Sequence, residues 1–163
     1  MPSVTFARVD HRLIHGQVIT KWSKLANCQE ILIVDDVLGQ DPFMVSIYKM
    51  AAPSGIEVDI KSTADAGAAF KADELGSKNI FALFKSIQMA RKAFDAGFEL
   101  KKLQLGGVPA ESGRKIVFQA VALGPEDVED LKRLHDAGVE IELQVVPEEA
   151  GMSYEDAMRK YEA

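Results

Sequence analysis

The chain of 163 residues is 47% apolar and 27% charged, carries a formal net charge of −6 and holds one cysteine, Cys28. That length suits one domain with a core of its own, and the acidic balance argues against nucleic acid as a main partner, because neutralising phosphates needs a basic surface. A lone cysteine excludes an intrachain disulfide framework and a CxxC metal or redox pair. Pro2 and Ser3 follow the first Met with no charged n-region and no long apolar stretch, and no apolar run approaches the ~20 residues of a membrane span. The chain is expected in the cytoplasm.

Short apolar runs alternate with helical patterns. Residues 4–9 read as a first strand, and from Gln17 onward Val18, Trp22, Leu25 and Ala26 share one helical face. Residues 30–34 are continuously apolar after Glu30, as for a strand covered on both faces, and end at Asp35-Asp36. Asp41-Pro42 should cap and open a second helix that stops before Pro53-Ser54-Gly55. A strand at 56–60, a helix at 63–72, a buried strand at 78–84 and a helix from Ser86 to Gly97 follow. Residues 100–105 lead into Gly106-Gly107, and 115–121 reads as a further strand. Pro125 opens a helix carrying Val128, Leu131 and Leu134 that Gly138 closes. Residues 139–145 alternate strictly, which predicts a strand with one wet face at a sheet edge; the polar tail from Glu148 reads as a loose last helix.

Repeated strand–helix–strand units of this length predict an α/β fold: a mostly parallel central sheet with helices on both faces and a small antiparallel element at one edge. Sites in such sheets lie beyond the C-terminal strand ends. Three loops meet that rule, at 10–16, 35–41 and 106–113.

The first of these is the most informative. Asp10-His11-Arg12-Leu13-Ile14-His15-Gly16-Gln17 puts a carboxylate, an arginine and an imidazole between a strand and a helix start. An imidazole nitrogen is a nucleophile, the following helix offers free N–H groups to an anion, and arginine binds phosphoryl oxygens. The four-residue spacing of His11 and His15 could form a metal pair, but Arg12 stands where a zincin has Glu. Neither a P-loop nor a GxGxxG fingerprint is present, so no metal and no nucleotide cofactor is implied. Asp35 and Asp36 leave open a metal-dependent aspartyl phospho-receiver, and Gly106-Gly107 a small-anion-binding module or a plain tight turn. His135, near a helix end, reads as structural.

The string from Ala7 to Val18 resembles the signature of the IIB components of the mannose/fructose/sorbose class of the bacterial phosphotransferase system. The likeness continues through Val34-Asp35-Asp36, Met50-Ala51-Ala52-Pro53-Ser54-Gly55-Ile56 and Gly106-Gly107, and covers nearly the whole chain as one IIB domain, 1–163. His11 stands where the family often has Asp or Asn. The resemblance implies that His15 is phosphorylated, at Nδ1, by a IIA phosphohistidine and passes the group to a sugar imported by membrane IIC and IID components. A cytoplasmic protein peripheral to that transporter, with no cofactor, is then expected. Arg12 is the first candidate to contact the phosphoryl oxygens and Arg8 the second, with backbone N–H groups of Gly16 and Gln17 at the helix start. Asp10 either orients the imidazole or only pairs with an arginine, and Asp36, Gly106 and Gly107 belong to neighbouring loops.

Overall fold

The computed structural model describes residues 3–163; Met1 and Pro2, part of the N-terminal segment considered above, lie outside the described residues. The first half of the chain runs β1 (Ser3–Asp10), α1 (Val18–Leu25), β2 (Glu30–Val34), a 3-10 turn (Leu38–Gln40), α2 (Pro42–Met50), β3 (Glu57–Lys61), α3 (Thr63–Lys71) and β4 (Asn79–Phe84). The second half runs α4 (Ile87–Asp95), β5 (Lys102–Gly107), β6 (Lys115–Phe118), β7 (Val121–Leu123), α5 (Pro125–Asp136), β8 (Glu140–Leu143), β9 (Met152–Ser153) and α6 (Tyr154–Glu162).

One sheet has the order β3-β2-β4-β1-β5-β8-β9, parallel throughout except for the last pair. The chain therefore starts at the centre. From β1 it crosses to one side to build β2 and β3, returns for β4, and then passes over β1 to β5. Beyond the C-terminal end of β1, helices depart in opposite directions, which leaves the crevice where open α/β sheets hold their sites.

Strand alternation divides the core into two layers. Ala7, Val9, Val34, Ala82, Phe84 and Leu105 pack under α3, α4 and α5, through Ala66, Ile87, Ala90, Leu131 and Leu134. Ile31, Ile33, Phe81 and Leu83 face the other way, against Leu13, Ile19, Trp22 and Leu38. Helix starts follow the capping residues: the side chains of Asp41, Ser62, Ser86 and Ser153 accept the N–H of Met44, Asp65, Met89 and Asp156 at 3.1–3.2 Å.

The structure corrects several expectations. Residues 115–121 are not one strand; they form the antiparallel pair β6–β7, turned at Gln119 with φ of 43°. The strand at β8 is not the edge, because β9 pairs with it, Leu143 opposite Met152. The tail is not loose: Ser153 caps α6, and Ala157 is fully buried in the core. Leu25 is 67% exposed rather than on the inner face of α1, where Ile19, Trp22 and Ser23 are buried. Gly106 and Gly107 are the last residues of β5, not a loop.

Gly67 shows how tightly α3 meets α4. A Cβ built there would sit 2.5 Å from the Ala96 carbonyl oxygen and 2.6 Å from the Ala96 Cβ. Alanine is a better helix former by about 1 kcal/mol, but overpacking against backbone costs about 1–3 kcal/mol. Gly67→Ala is therefore expected to lower the melting temperature, and Gly67→Val to lower it further. Thermal unfolding monitored by circular dichroism measures this; a raised melting temperature for Gly67→Ala would contradict the close approach.

Candidate functional site

Alternation along β1 sends Arg8 and Asp10 to the face that α1 covers. Arg8 is fully buried, and a buried guanidinium is tolerable only when its protons find acceptors. It donates from Nη1 to the Gln104 side chain and, at 3.0 Å, to the Gln144 carbonyl. From Nη2 it donates to the Val145 carbonyl at 2.9 Å and to Asp10 Oδ2 at 3.2 Å. Its Cζ lies 5.5 Å from the Trp22 ring centroid, and the indole of Trp22 donates to the same Val145 carbonyl at 3.2 Å. Nε alone lacks a partner. Burial pulls the Arg8 pKa below its ordinary value, while the Asp10 carboxylate opposes that pull.

Asp10, also fully buried, is the hub. Its Oδ1 accepts the Arg12 backbone N–H at 3.1 Å and Arg12 Nε at 3.0 Å. Its Oδ2 lies 3.2 Å from Arg12 Nη2 and 3.1 Å from His15 Nε2. Burial pushes this carboxyl's pKa up. The Arg12 hydrogen bonds, the charges of both arginines and the His15 contact outweigh it and hold the group below the usual carboxylate range. Asp10 thus pairs with both arginines and also contacts the imidazole.

An ionised carboxylate only accepts, so the contact places the proton of neutral His15 on Nε2 and leaves the lone pair on Nδ1. Nδ1 has no hydrogen-bond partner among the described residues, and the side chain is 21% exposed. Arg12 is 37% exposed; with Nε and Nη2 on Asp10, its Nη1 is uncommitted.

The loop that carries these groups is anchored by Leu13. This residue is fully buried among Ile19, Trp22 and Leu38, and its φ of 58° turns the chain back over Asp10. That is an uncommon conformation for a bulky side chain, held here by burial and by a 2.9 Å bond from its N–H to the Asp10 carbonyl. The His11 N–H bonds the Gly107 carbonyl at 3.0 Å, and the buried His11 Nδ1 has no partner. Gly16, with φ of 50°, then leads into α1, whose first residues have no side-chain cap and keep their N–H groups open.

The glycine pair makes room. A Cβ on Gly106 would collide with the Arg8 guanidinium, and one on Gly107 would lie 2.6 Å from Asp10 Oδ1 and 3.3 Å from Arg12 Nη2. Asp35 and Asp36 are engaged elsewhere. Asp35 Oδ2 accepts the N–H groups of Val37 and Leu38 at 3.2 and 3.0 Å. Asp36 Oδ1 accepts both the N–H and the hydroxyl of Thr63 at 2.8 Å, and its Oδ2 is 3.5 Å from Lys92. Burial pushes Asp36 up, but Thr63 and Lys92 outweigh it and lower its pKa.

The structure thus brings Asp10, Arg12, His15 and Gly107 to one place, with Gly16 and Gln17 at its rim. Arg8 is a correction: it lies sealed beneath Asp10 and cannot reach a group on His15. Gln104, Leu13 and the carbonyls of residues 144 and 145 were missed by sequence reasoning. Only Leu13, an apolar residue inside a charged string, left a signal there.

Removing one member of a buried ion pair costs about 3–5 kcal/mol, because the other is left uncompensated. Arg8→Ala is expected to lose that much stability in urea unfolding, and Arg12→Ala distinctly less. Asp10 is held below its ordinary pKa of about 3.9, so its contribution is complete above that value and disappears as pH falls through the lower folded value. The stability deficit of Asp10→Asn should therefore be full near neutral pH and shrink in acid; a deficit independent of pH down to about 2 would contradict the ion cluster.

Comparison with known proteins agrees with this architecture. Residues 4–163 match the family described as PTS system sorbose subfamily IIB component. The sorbose-specific EIIB component of Lacticaseibacillus casei is 36% identical over 143 residues, covering 88% of this chain and 87% of that protein. The sorbose-specific EIIB component of Klebsiella pneumoniae is 32% identical over 157 residues, 96% of each chain. The crystal structure of manxB from Thermoanaerobacter tengcongensis superposes with a TM-score of 0.91 at 35% identity, over 99% of this chain and 98% of that one. A match over all but the first three residues, carried by the fold as well as the sequence, makes this chain a member of the sorbose subfamily of phosphotransferase-system IIB components, proteins of phosphoryl transfer in sugar uptake.

Proposed function

We propose that the chain is a phosphocarrier that takes a phosphoryl group from a IIA phosphohistidine onto His15 Nδ1 and passes it to a sugar imported by membrane IIC and IID components. The observation that supports this best is the 3.1 Å contact of His15 Nε2 with a buried Asp10, which leaves Nδ1 as the nucleophile. Phosphoryl transfer asks little covalent chemistry of a protein beyond positioning and charge stabilisation. Asp10 holds the imidazole in one tautomer and orientation, and Arg8, from below, holds Asp10. Arg12 turns its free Nη1 toward the phosphoryl oxygens, and the open N–H groups of Gly16 and Gln17 at the start of α1 bind the anion.

A partly exposed imidazole suits an atom that two partners must reach in turn. Among the described residues, no helix is long and apolar enough to cross a membrane. In this scheme the chain works at the cytoplasmic face, beside the transporter. A receiver mechanism on Asp35 or Asp36 has less support, since Asp35 caps the 3-10 turn and Asp36 holds Thr63.

With a phosphorylated IIA as donor and no nucleotide, wild type should acquire one phosphate on His15 that is lost in acid and survives base. His15→Ala should stay folded and take none, and labelling should persist in excess EDTA. Mass spectrometry of the labelled chain decides; phosphate found on Asp35 or Asp36, or abolished by EDTA, would replace this scheme with the receiver.

Arg12→Ala should slow single-turnover transfer by one to two powers of ten, the equivalent of a charge-assisted bond of about 1.5–3 kcal/mol, with a far smaller effect on stability. Arg12→Lys should recover only part, because the planar fork is lost. Transfer at the wild-type rate in Arg12→Ala would remove the role.

A further inference from the structure

β4 lies beside β1 in parallel register, with Val9 opposite Phe84. The next residues are Asp10, the last of β1, and Lys85, the first beyond β4, at the same level on strands about 4.8 Å apart. Alternation also fixes the face. Ile80, Ala82 and Phe84 belong to the core under α4, whereas Phe81 and Leu83 pack on the α1 side with Leu13 and Trp22. Carried one residue past the end of β4, the same alternation assigns Lys85 to that second series, the face on which Asp10 meets His15. Its backbone is fixed at once by Ser86, whose hydroxyl accepts the Met89 N–H at 3.2 Å and caps α4.

The lysine is exposed, and among the described residues its ammonium forms no ion pair. Three other cations are committed: Lys92 to Asp36 at 3.5 Å, Arg114 to Asp127 at 3.0 Å, and Arg8 to its buried acceptors. In the proposed scheme the anion meets Arg12 and the N–H groups of Gly16 and Gln17. A phosphoryl group brings three strong acceptor oxygens and about −1.5 to −2 charges. Arg12, with Nε and Nη2 on Asp10, offers one free nitrogen from the β1 side. A mobile, flexible-stemmed ammonium from the β4 side would close the opposite flank.

We propose that Lys85 is a second phosphoryl-binding cation of this site, donating from Nζ to the oxygens of the group carried by His15. The proposal rests on the assignment of His15 as the phosphorylated residue. In the transfer, the Nδ1 lone pair forms the new N–P bond as the donor's N–P bond breaks. The donor imidazole nitrogen keeps that electron pair, and the Nε2 proton of His15 stays against Asp10. Lys85 remains charged throughout and neutralises the oxygens as they cross.

The test uses the full chain, a phosphorylated sorbose-class IIA as donor, and the variants Lys85→Gln and Lys85→Arg. At saturating donor, Lys85→Gln should lower the single-turnover rate constant about tenfold, the loss typical of one charge-assisted contact, with Lys85→Arg restoring most of it. In 31P NMR of the phosphorylated chain, the midpoint of the phosphoryl titration should rise in Lys85→Gln and return toward wild type in Lys85→Arg, a change that a merely structural role would not produce. A wild-type rate and an unshifted titration in Lys85→Gln would overturn the proposal. So would a loss confined to the half-saturating donor concentration, which would make Lys85 a docking residue. Wild-type chain that takes no phosphate on His15 would instead remove the underlying assignment, and that is read before any variant is compared.

Discussion

The ion cluster at the end of β1 is the constraint on which the rest of the site depends. A carboxylate with no solvent access is stable there only because two guanidinium groups and an imidazole share its oxygens. Each neighbouring feature serves that arrangement. Gly106 and Gly107 leave out the side chains that would occupy the space of Arg8 and Asp10. Gln104 and the carbonyls of residues 144 and 145 take the remaining Arg8 protons. Trp22 covers the guanidinium from α1. Burying such a cluster contributes little net stability by itself; its value lies in geometry, since a desolvated carboxylate with every lone pair committed does not move.

Division of labour between the two arginines follows from strand alternation and depth rather than from residue type. Arg8 is enclosed and acts on the imidazole only through Asp10. Arg12, four positions further along and on the turn, keeps one edge on Asp10 and the other in solvent. The loop can hold this shape because Leu13 is sunk into the core at a φ that few bulky residues adopt. A loop anchored at its middle by an apolar side chain presents a polar atom with little freedom to wander, as the proposed phosphoryl transfer would require.

Much of this was legible in the sequence. Asp41 and Ser86, both read as helix starts, cap α2 and α4 through purely local bonds, and the continuous runs at β2 and β4 announce strands covered on both faces. The loop string around His15 was legible because its chemistry is contiguous. What sequence did not reveal depends on distant partners. Arg8 reads equally well as a surface or a buried cation until residues 136 and 137 positions further on supply its acceptors. The strand at β8 alternates like an edge because its neighbour β9 is only two residues long and offers no periodicity. The break between β6 and β7 rests on a single left-handed residue, Gln119, whose side chain gives no turn signal.

The long span of those Arg8 bonds also sets when the site can exist. While the chain is being made, β1 emerges first, but the carbonyls that hold Arg8 belong to the segment after β8, near the far end of the sequence. Until that strand docks beside β5, Arg8 has no reason to enter the interior and Asp10 no reason to stay charged within it. The contacts that complete the site span 136 and 137 residues and carry a large loop-closure cost. The geometry around His15 therefore depends on residues from both ends of the chain, and it is complete only in the finished sheet.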